Sequence, residues 1–187
     1  MPAFSEARYF AFESMNDDQT IPVKGRYLSS KALLDRPRWS EVFNEGPLLL
    51  ARLCPVDYHR FHYPDNGKVL DHYRVKGKLH SVNPIALKEY ADIFATNERQ
   101  VTIIETENFG KLAYVEVGAL CVGKIVQSGN LEEFKRGDEK GYFLFGGSTV
   151  IVLGEKGRWS PEPDMLEFTA KGMETYLHLG EPVARAR

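Results

Sequence analysis

The apolar residues of this chain arrive in short β-rich runs, each closed by a turn signal, and no other feature restricts the fold as much. Residues 6–12 are aromatic-rich and read as a strand. Leu48–Leu53 is a continuous apolar run, the pattern of a strand buried on both faces. Val69–Lys78 alternates, and Val101–Glu105, Leu112–Val117 and Ala119–Gln127 are three further β-rich runs. Asn108-Phe109-Gly110 supplies the turn between the first two of these. Tyr142–Phe145 and Thr149–Leu153 flank Gly146-Gly147-Ser148. Asn16-Asp17-Asp18 and Pro64-Asp65-Asn66-Gly67 are turn clusters, and Arg136–Gly141 reads as a charged loop. Helical spacing is confined to short turns over 29–45, interrupted by Pro37, to 84–94, and to 164–175. The expectation is one β-dominated α+β domain over residues 1–187, with mixed or antiparallel sheets in a sandwich- or barrel-like arrangement and a few short helices.

Composition removes several functions. A chain of 187 residues can bury a substantial core. The formal net charge of −2, with no lysine- and arginine-rich run, argues against a nucleic-acid partner. No stretch approaches the ~20 apolar residues of a membrane span, and no basic-then-apolar leader opens the chain. The expected location is therefore cytoplasmic or peripheral on a membrane. Cys54 and Cys121 lie in apolar surroundings without C-x-x-C spacing, as buried thiols in a reducing compartment do. No glycine-rich nucleotide loop is present.

Most Gly-Gly-Ser sequences are simply turns. Between two strands, however, Gly146-Gly147-Ser148 also permits a specific reaction. A serine hydroxyl can attack the preceding carbonyl and turn the peptide into an ester. Glycine tolerates the distorted peptide this requires. A base must activate the hydroxyl, and donors must meet the oxyanion. Loss of the serine α-proton then expels the ester carboxylate, and the residue left hydrolyses to a pyruvoyl group and ammonia.

His59 and His62 are the candidate bases, because imidazole titrates near neutrality. Three residues apart, they face opposite sides of a strand or one side of a helix. A carboxylate would orient the base, and spacing alone does not say which histidine acts. Asp57, Asp71 and His72 could be mustered as metal ligands, but their spacing is not that of a zinc site, and no metal is expected.

Several blocks, taken together and in order, resemble the phosphatidylserine decarboxylase family. They are Val23-Lys24-Gly25, Leu53-Cys54-Pro55-Val56-Asp57-Tyr58-His59-Arg60-Phe61-His62, Ser81-Val82-Asn83-Pro84, Asn97-Glu98-Arg99, Val117-Gly118-Ala119 with Val122-Gly123, and Phe145-Gly146-Gly147-Ser148-Thr149-Val150. The resemblance implies self-cleavage between Gly147 and Ser148, giving a β chain of residues 1–147 and an α chain of residues 148–187. It implies a covalent pyruvoyl cofactor made from Ser148, which serves as electron sink while phosphatidylserine becomes phosphatidylethanolamine and carbon dioxide. It implies His62 as base for self-cleavage and His59 as an aid to decarboxylation. A phospholipid substrate, peripheral membrane contact and a homodimer of cleaved protomers follow from the same likeness. The family's upstream aspartate is missing from Pro2-Ala3-Phe4-Ser5-Glu6; alignment from Arg8 and Phe12 puts Glu6 in its place, with Asp57 a second candidate. The family's amino-terminal helical region has no counterpart in these residues. Two alternatives compete: a relative acting on a soluble amino acid, and a shortened paralogue that folds without cleaving.

Overall fold

The computed structural model describes residues 1–15, 28–81, 93–119, 124–128, 132–144 and 148–187. Its centre is an eight-stranded sheet in the order β12-β1-β2-β10-β6-β5-β4-β8, and every pairing in it is antiparallel. The strands are β1 (Ala7–Phe12), β2 (Leu48–Leu53), β4 (Gly67–Val75), β5 (Arg99–Thr106), β6 (Gly110–Val117), β8 (Glu133–Phe134), β10 (Ser148–Gly154) and β12 (Thr175–Leu177). A second sheet, β3-β9-β7, combines Arg60–His62, Glu139–Leu144 and Lys124–Gln127. β11 (Trp159–Pro161) pairs with β13 (Ala184–Ala186). The large sheet is open, ending at β12 and β8, so the arrangement is sandwich-like and not a closed barrel.

Register divides the large sheet into two faces. Thr149↔Val117, Val117↔Arg99 and Tyr73↔Val101 set one of them. That face carries the helices α1 (Ser30–Leu34), α2 (Pro37–Val42) and α3 (Ile93–Thr96). Tyr73 donates to Leu34 O, and Trp39 donates to Asp71. The buried guanidinium of Arg99 donates to the carbonyls of Ala32, Leu33, Ala95 and Asn97. It thus closes the carboxyl ends of two helices with a cation, where the helix dipole favours one. Ser29 caps α1 by accepting from Ala32 N, and Pro37 starts α2 instead of breaking a longer helix.

The other face, with Val150, Glu116 and Gln100 in line, packs against the small sheet. Phe61 approaches Tyr114 with ring centroids 6.1 Å apart, and Gln127 bonds Gln100 and Glu116 across the layer. Within the small sheet, Gly141 leaves room for the Phe61 ring: a Cβ there would lie 2.2 Å from Val126 O and under 3 Å from that ring. β10, every residue of which is buried, runs between β2 and β6. A strand covered on both faces needs a continuous apolar run, and Val150-Ile151-Val152-Leu153 supplies it at about 1.5–3 kcal/mol per side chain.

Three sequence expectations change. The charged loop stops at Asp138: Glu139, Lys140 and Gly141 belong to β9, and Lys140 is fully buried. The carboxyl-terminal helix is α4 (Pro163–Ala170), shorter than 164–175, and Gly172 with positive φ follows it. Cys54 is half-buried as a free thiol and takes a contact from Arg52 at 3.0 Å. The turn at 16–18, most of the helix at 84–94, Cys121, and Phe145-Gly146-Gly147 lie outside the described residues.

Candidate active site

Ser148 opens the central strand. It pairs with Leu53, and the next pair, Thr149↔Val117, continues through Val117↔Arg99 and Arg99↔Val75. These pairs draw a line across one end of the sheet, and Ser148 sits on it. Its side chain belongs to the face beneath the small sheet, since it alternates with Thr149 and shares a side with Val150. The residue is wholly buried, and Ser148 Oγ has no hydrogen-bond partner among the described residues. A buried hydroxyl without a partner costs on the order of 1–3 kcal/mol.

The two histidines lie on the segment that follows Leu53. His59 O accepts from Phe143 N, near the end of β9 that leads toward Ser148, whereas His62 pairs with Glu139, at the strand's start. By register His59 is therefore the nearer of the two along the strand. Tyr58 stacks on His62 at 6.1 Å.

Hydrogen bonding fixes the His62 tautomer. Nδ1 lies 3.0 Å from Gly137 O, and a carbonyl oxygen only accepts, so Nδ1 carries the proton. In the neutral ring Nε2 then holds the lone pair, and it is buried without a partner. The ring is thus oriented by a backbone carbonyl, with Nε2 unpartnered among the described residues. His59 Nδ1 is held in the same way by Asp57 O at 2.6 Å. His62 also lines a cleft of about 520 Å³ with Pro2, Ala3, Arg136, Gly137 and Pro182.

The carboxylates serve other partners. Glu6 accepts from Tyr176 OH at 3.1 Å and lies 3.4 Å from His178 Nδ1, on the edge formed with β12. In the same opening segment it is Phe4 whose carbonyl accepts from His62 N. Asp57 accepts from Arg8 and from Cys54 N and so fixes the Cys54–Asp57 turn. Asp71 takes Arg36 and Trp39, and His72 Nδ1 lies 3.0 Å from Thr102 Oγ1. Among the described residues no three His, Cys, Asp or Glu are grouped to hold a metal.

Sequence reasoning missed three contributors. Gly137, in the charged loop, had no signal as an acceptor. Tyr114, whose hydroxyl donates to His62 O at 3.3 Å, looked like an ordinary core aromatic. Lys140 was hidden inside a run of charges; Glu116 was the available clue, a lone carboxylate in the apolar strand Leu112–Val117.

Ser148 thus opens a buried strand of the large sheet directly after two glycines, and both histidines lie on the segment that forms the edge of the small sheet. The phosphatidylserine decarboxylase family matches residues 2–184, and the chain belongs to that family. The phosphatidylserine decarboxylase proenzyme of Clostridium perfringens strain SM101 is 42% identical over 179 residues, covering 95% of this chain and 61% of the relative. The proenzymes of Desulfitobacterium hafniense strain DCB-2 and Clostridium tetani are each 41% identical over 182 residues, with 97% and 61% covered. The chain thus spans about three fifths of the length of these relatives.

Proposed function

We propose that this chain is the self-cleaving catalytic domain of a decarboxylase that converts phosphatidylserine to phosphatidylethanolamine and carbon dioxide. The observation that carries the reading is Ser148 Oγ, sealed from solvent and unbonded, immediately after Gly147.

His62 Nε2 takes the Ser148 hydroxyl proton as Oγ adds to the Gly147 carbonyl; the C–N bond breaks and the Ser148 amine is freed. Removal of the Ser148 α-proton then breaks the Cβ–Oγ bond and releases the Gly147 carboxylate. Tautomerisation and hydrolysis of the dehydroalanine left at 148 give ammonia and a pyruvoyl group. Residues 1–147 and 148–187 remain one folded unit, because β10 is hydrogen-bonded between β2 and β6. Ser148 fits as the precursor, since its orphaned Oγ has no other structural duty. A pyruvoyl group supplies a ketone that captures a primary amine and draws electrons as carbon dioxide leaves. His59 is positioned by Asp57 O to hold or deliver a proton during decarboxylation.

A lipid is favoured over a free amino acid by the surface at this end of the sheet. Val56 is 89% exposed, and Tyr58, Leu79 and Leu144 are exposed as well. Lys124, the cross-strand neighbour of Leu144, and Lys76 and Lys78 beyond β4 are exposed cations. An apolar rim with lysines suits an anionic bilayer, so the protein binds the membrane peripherally. No helix among the described residues is long and apolar enough to cross a membrane. Self-association into a homodimer belongs to the same reading, with exposed Phe168, Met173, Tyr176 and Leu179 near edge strand β12 as its surface.

The test is intact mass spectrometry of the purified 21.2 kDa chain and its Ser148→Ala variant. The expected result is two fragments divided at 147/148, the smaller carrying a ketone in place of its amine, and one uncut chain for the variant. Cleavage that survives Ser148→Ala excludes the mechanism.

A further inference from the structure

Glu116 and Lys140 form an ion pair whose side chains are both fully buried. Lys140 Nζ donates to Glu116 Oε1 at 2.5 Å and to Gln127 Oε1 at 2.8 Å. Gln127 in turn donates to Glu116 Oε2 and Gln100 Oε1. The rings of Tyr114, Phe61 and Tyr63 surround the ammonium, with centroids 5.0, 5.7 and 5.9 Å away. Burial pushes the Glu116 carboxyl up and the Lys140 ammonium down, and their mutual attraction opposes both shifts. Stability does not account for such a pair. Replacing both members by apolar residues is often neutral or stabilising, whereas removing one leaves a bare buried charge.

Location supplies the reason. Lys140 is on β9, in the small sheet, and Ser148 is the first residue of β10, in the large one. Only residues 145–147 separate Ser148 from Leu144, the last residue of β9. Ser148 and Leu144 thus belong to different sheets although only three residues separate them in sequence, so the seating of the sheets sets where Ser148 lies relative to β9. The aromatic contact of Phe61 with Tyr114 across the layer is non-directional and tolerates sliding. The Lys140 bonds are directional. Their acceptor, Glu116, pairs with Val150, on the same face as Ser148 and two residues further along the strand.

We infer that Glu116 and Lys140 are a positioning pair for self-cleavage, which fixes β9 over β6 in the seating that self-cleavage at Ser148 requires. The inference rests on the self-cleavage reading above. Displacement of about 1 Å in such an approach costs roughly a hundredfold in rate.

The full chain is made by cell-free synthesis and its splitting followed on denaturing gels, with thermal unfolding measured in a Ser148→Ala background. Glu116→Leu with Lys140→Met should melt at or above the Ser148→Ala reference yet split at least about tenfold more slowly than wild type. Hydroxylamine, which cleaves the ester by taking the Gly147 acyl group, should not restore the split, because the ester does not form. Lys140→Arg, which keeps the charge, should split faster than Lys140→Met, and this comparison decides the matter if the double variant does not fold. Wild-type splitting by the double variant, full rescue by hydroxylamine, or equal rates for Lys140→Arg and Lys140→Met would each overturn the positioning role. Those results leave the Ser148 mechanism standing. A wild-type chain that never splits removes that mechanism and this inference with it.

Discussion

The two ends of the large sheet are built on opposite principles. At the far end, chain reversals are locked by local hydrogen bonds. Buried Asp65 accepts from Asn108 N and Nδ2 and from Arg136, Thr106 Oγ1 donates to Gly110 O, and Gly110 takes a positive φ to close the β5–β6 turn. Tyr63 stacks on Phe134 at 3.9 Å alongside. At the Ser148 end, the Ser148 and Thr149 hydroxyls have no hydrogen-bond partner among the described residues, and large apolar side chains face outward. The closed end is thus cross-linked by local polar contacts, whereas the open end leaves two hydroxyls unpaired. Changes at the first should therefore move melting, and changes at the second should move cleavage, turnover or membrane binding.

The histidines give the largest expected effect. His62→Ala should reduce self-cleavage by at least about a hundredfold through loss of the base, whereas His59→Ala should cleave normally and decarboxylate poorly. Gel analysis together with carbon dioxide release separates the two. Because register puts His59 nearer the Ser148 end, the opposite result would exchange their roles. At the closed end, Asp65→Ala should cost about 3 kcal/mol, read as a fall in the urea midpoint, by stranding Arg136 and the Asn108 donors. Cleavage in folded Asp65→Ala should be unchanged; slowed cleavage there would break the contrast between the ends.

Smaller effects sharpen the contrast. Lys78→Ala and Lys124→Ala should each weaken binding to phosphatidylserine-containing vesicles by about fivefold, corresponding to about 1 kcal/mol per lysine near an anionic surface. Unaltered sedimentation with vesicles would remove these lysines from the membrane face. The smallest effect concerns His72, whose pKa is lowered by burial and then by the Lys140 charge. A depressed folded-state value means that the unfolded chain binds more protons between the two pKa values. The His72 contribution is present above the ordinary value of about 6.5 and fades as pH falls through the folded one. His72→Gln should flatten the stability curve on the acidic side of neutrality, measured by urea midpoints; an unchanged slope would show that His72 does not contribute.

What the sequence determined by itself was local. Leu48–Leu53 announced a buried strand because its side chains, Arg52 apart, are apolar on both faces, and the turn at 108–110 was legible because asparagine and glycine suit that backbone. Ser148 could be singled out because the proposed self-cleavage joins a hydroxyl to the carbonyl just before it, so those two groups are neighbours in the chain. Tertiary structure decided everything that joins distant residues. No spacing rule connects His62 to Gly137, whose carbonyl sets the tautomer, or draws Glu6 away to Tyr176 and His178. Lys140 sat in a run of charges that resembles a solvated loop. Its burial follows from β9 folding over Glu116, a contact between residues 24 apart in the sequence. Hydrogen bonds and ion pairs act over a few ångströms of space, whatever the separation along the chain, so the partners of a polar group are fixed only when the sheets close on one another.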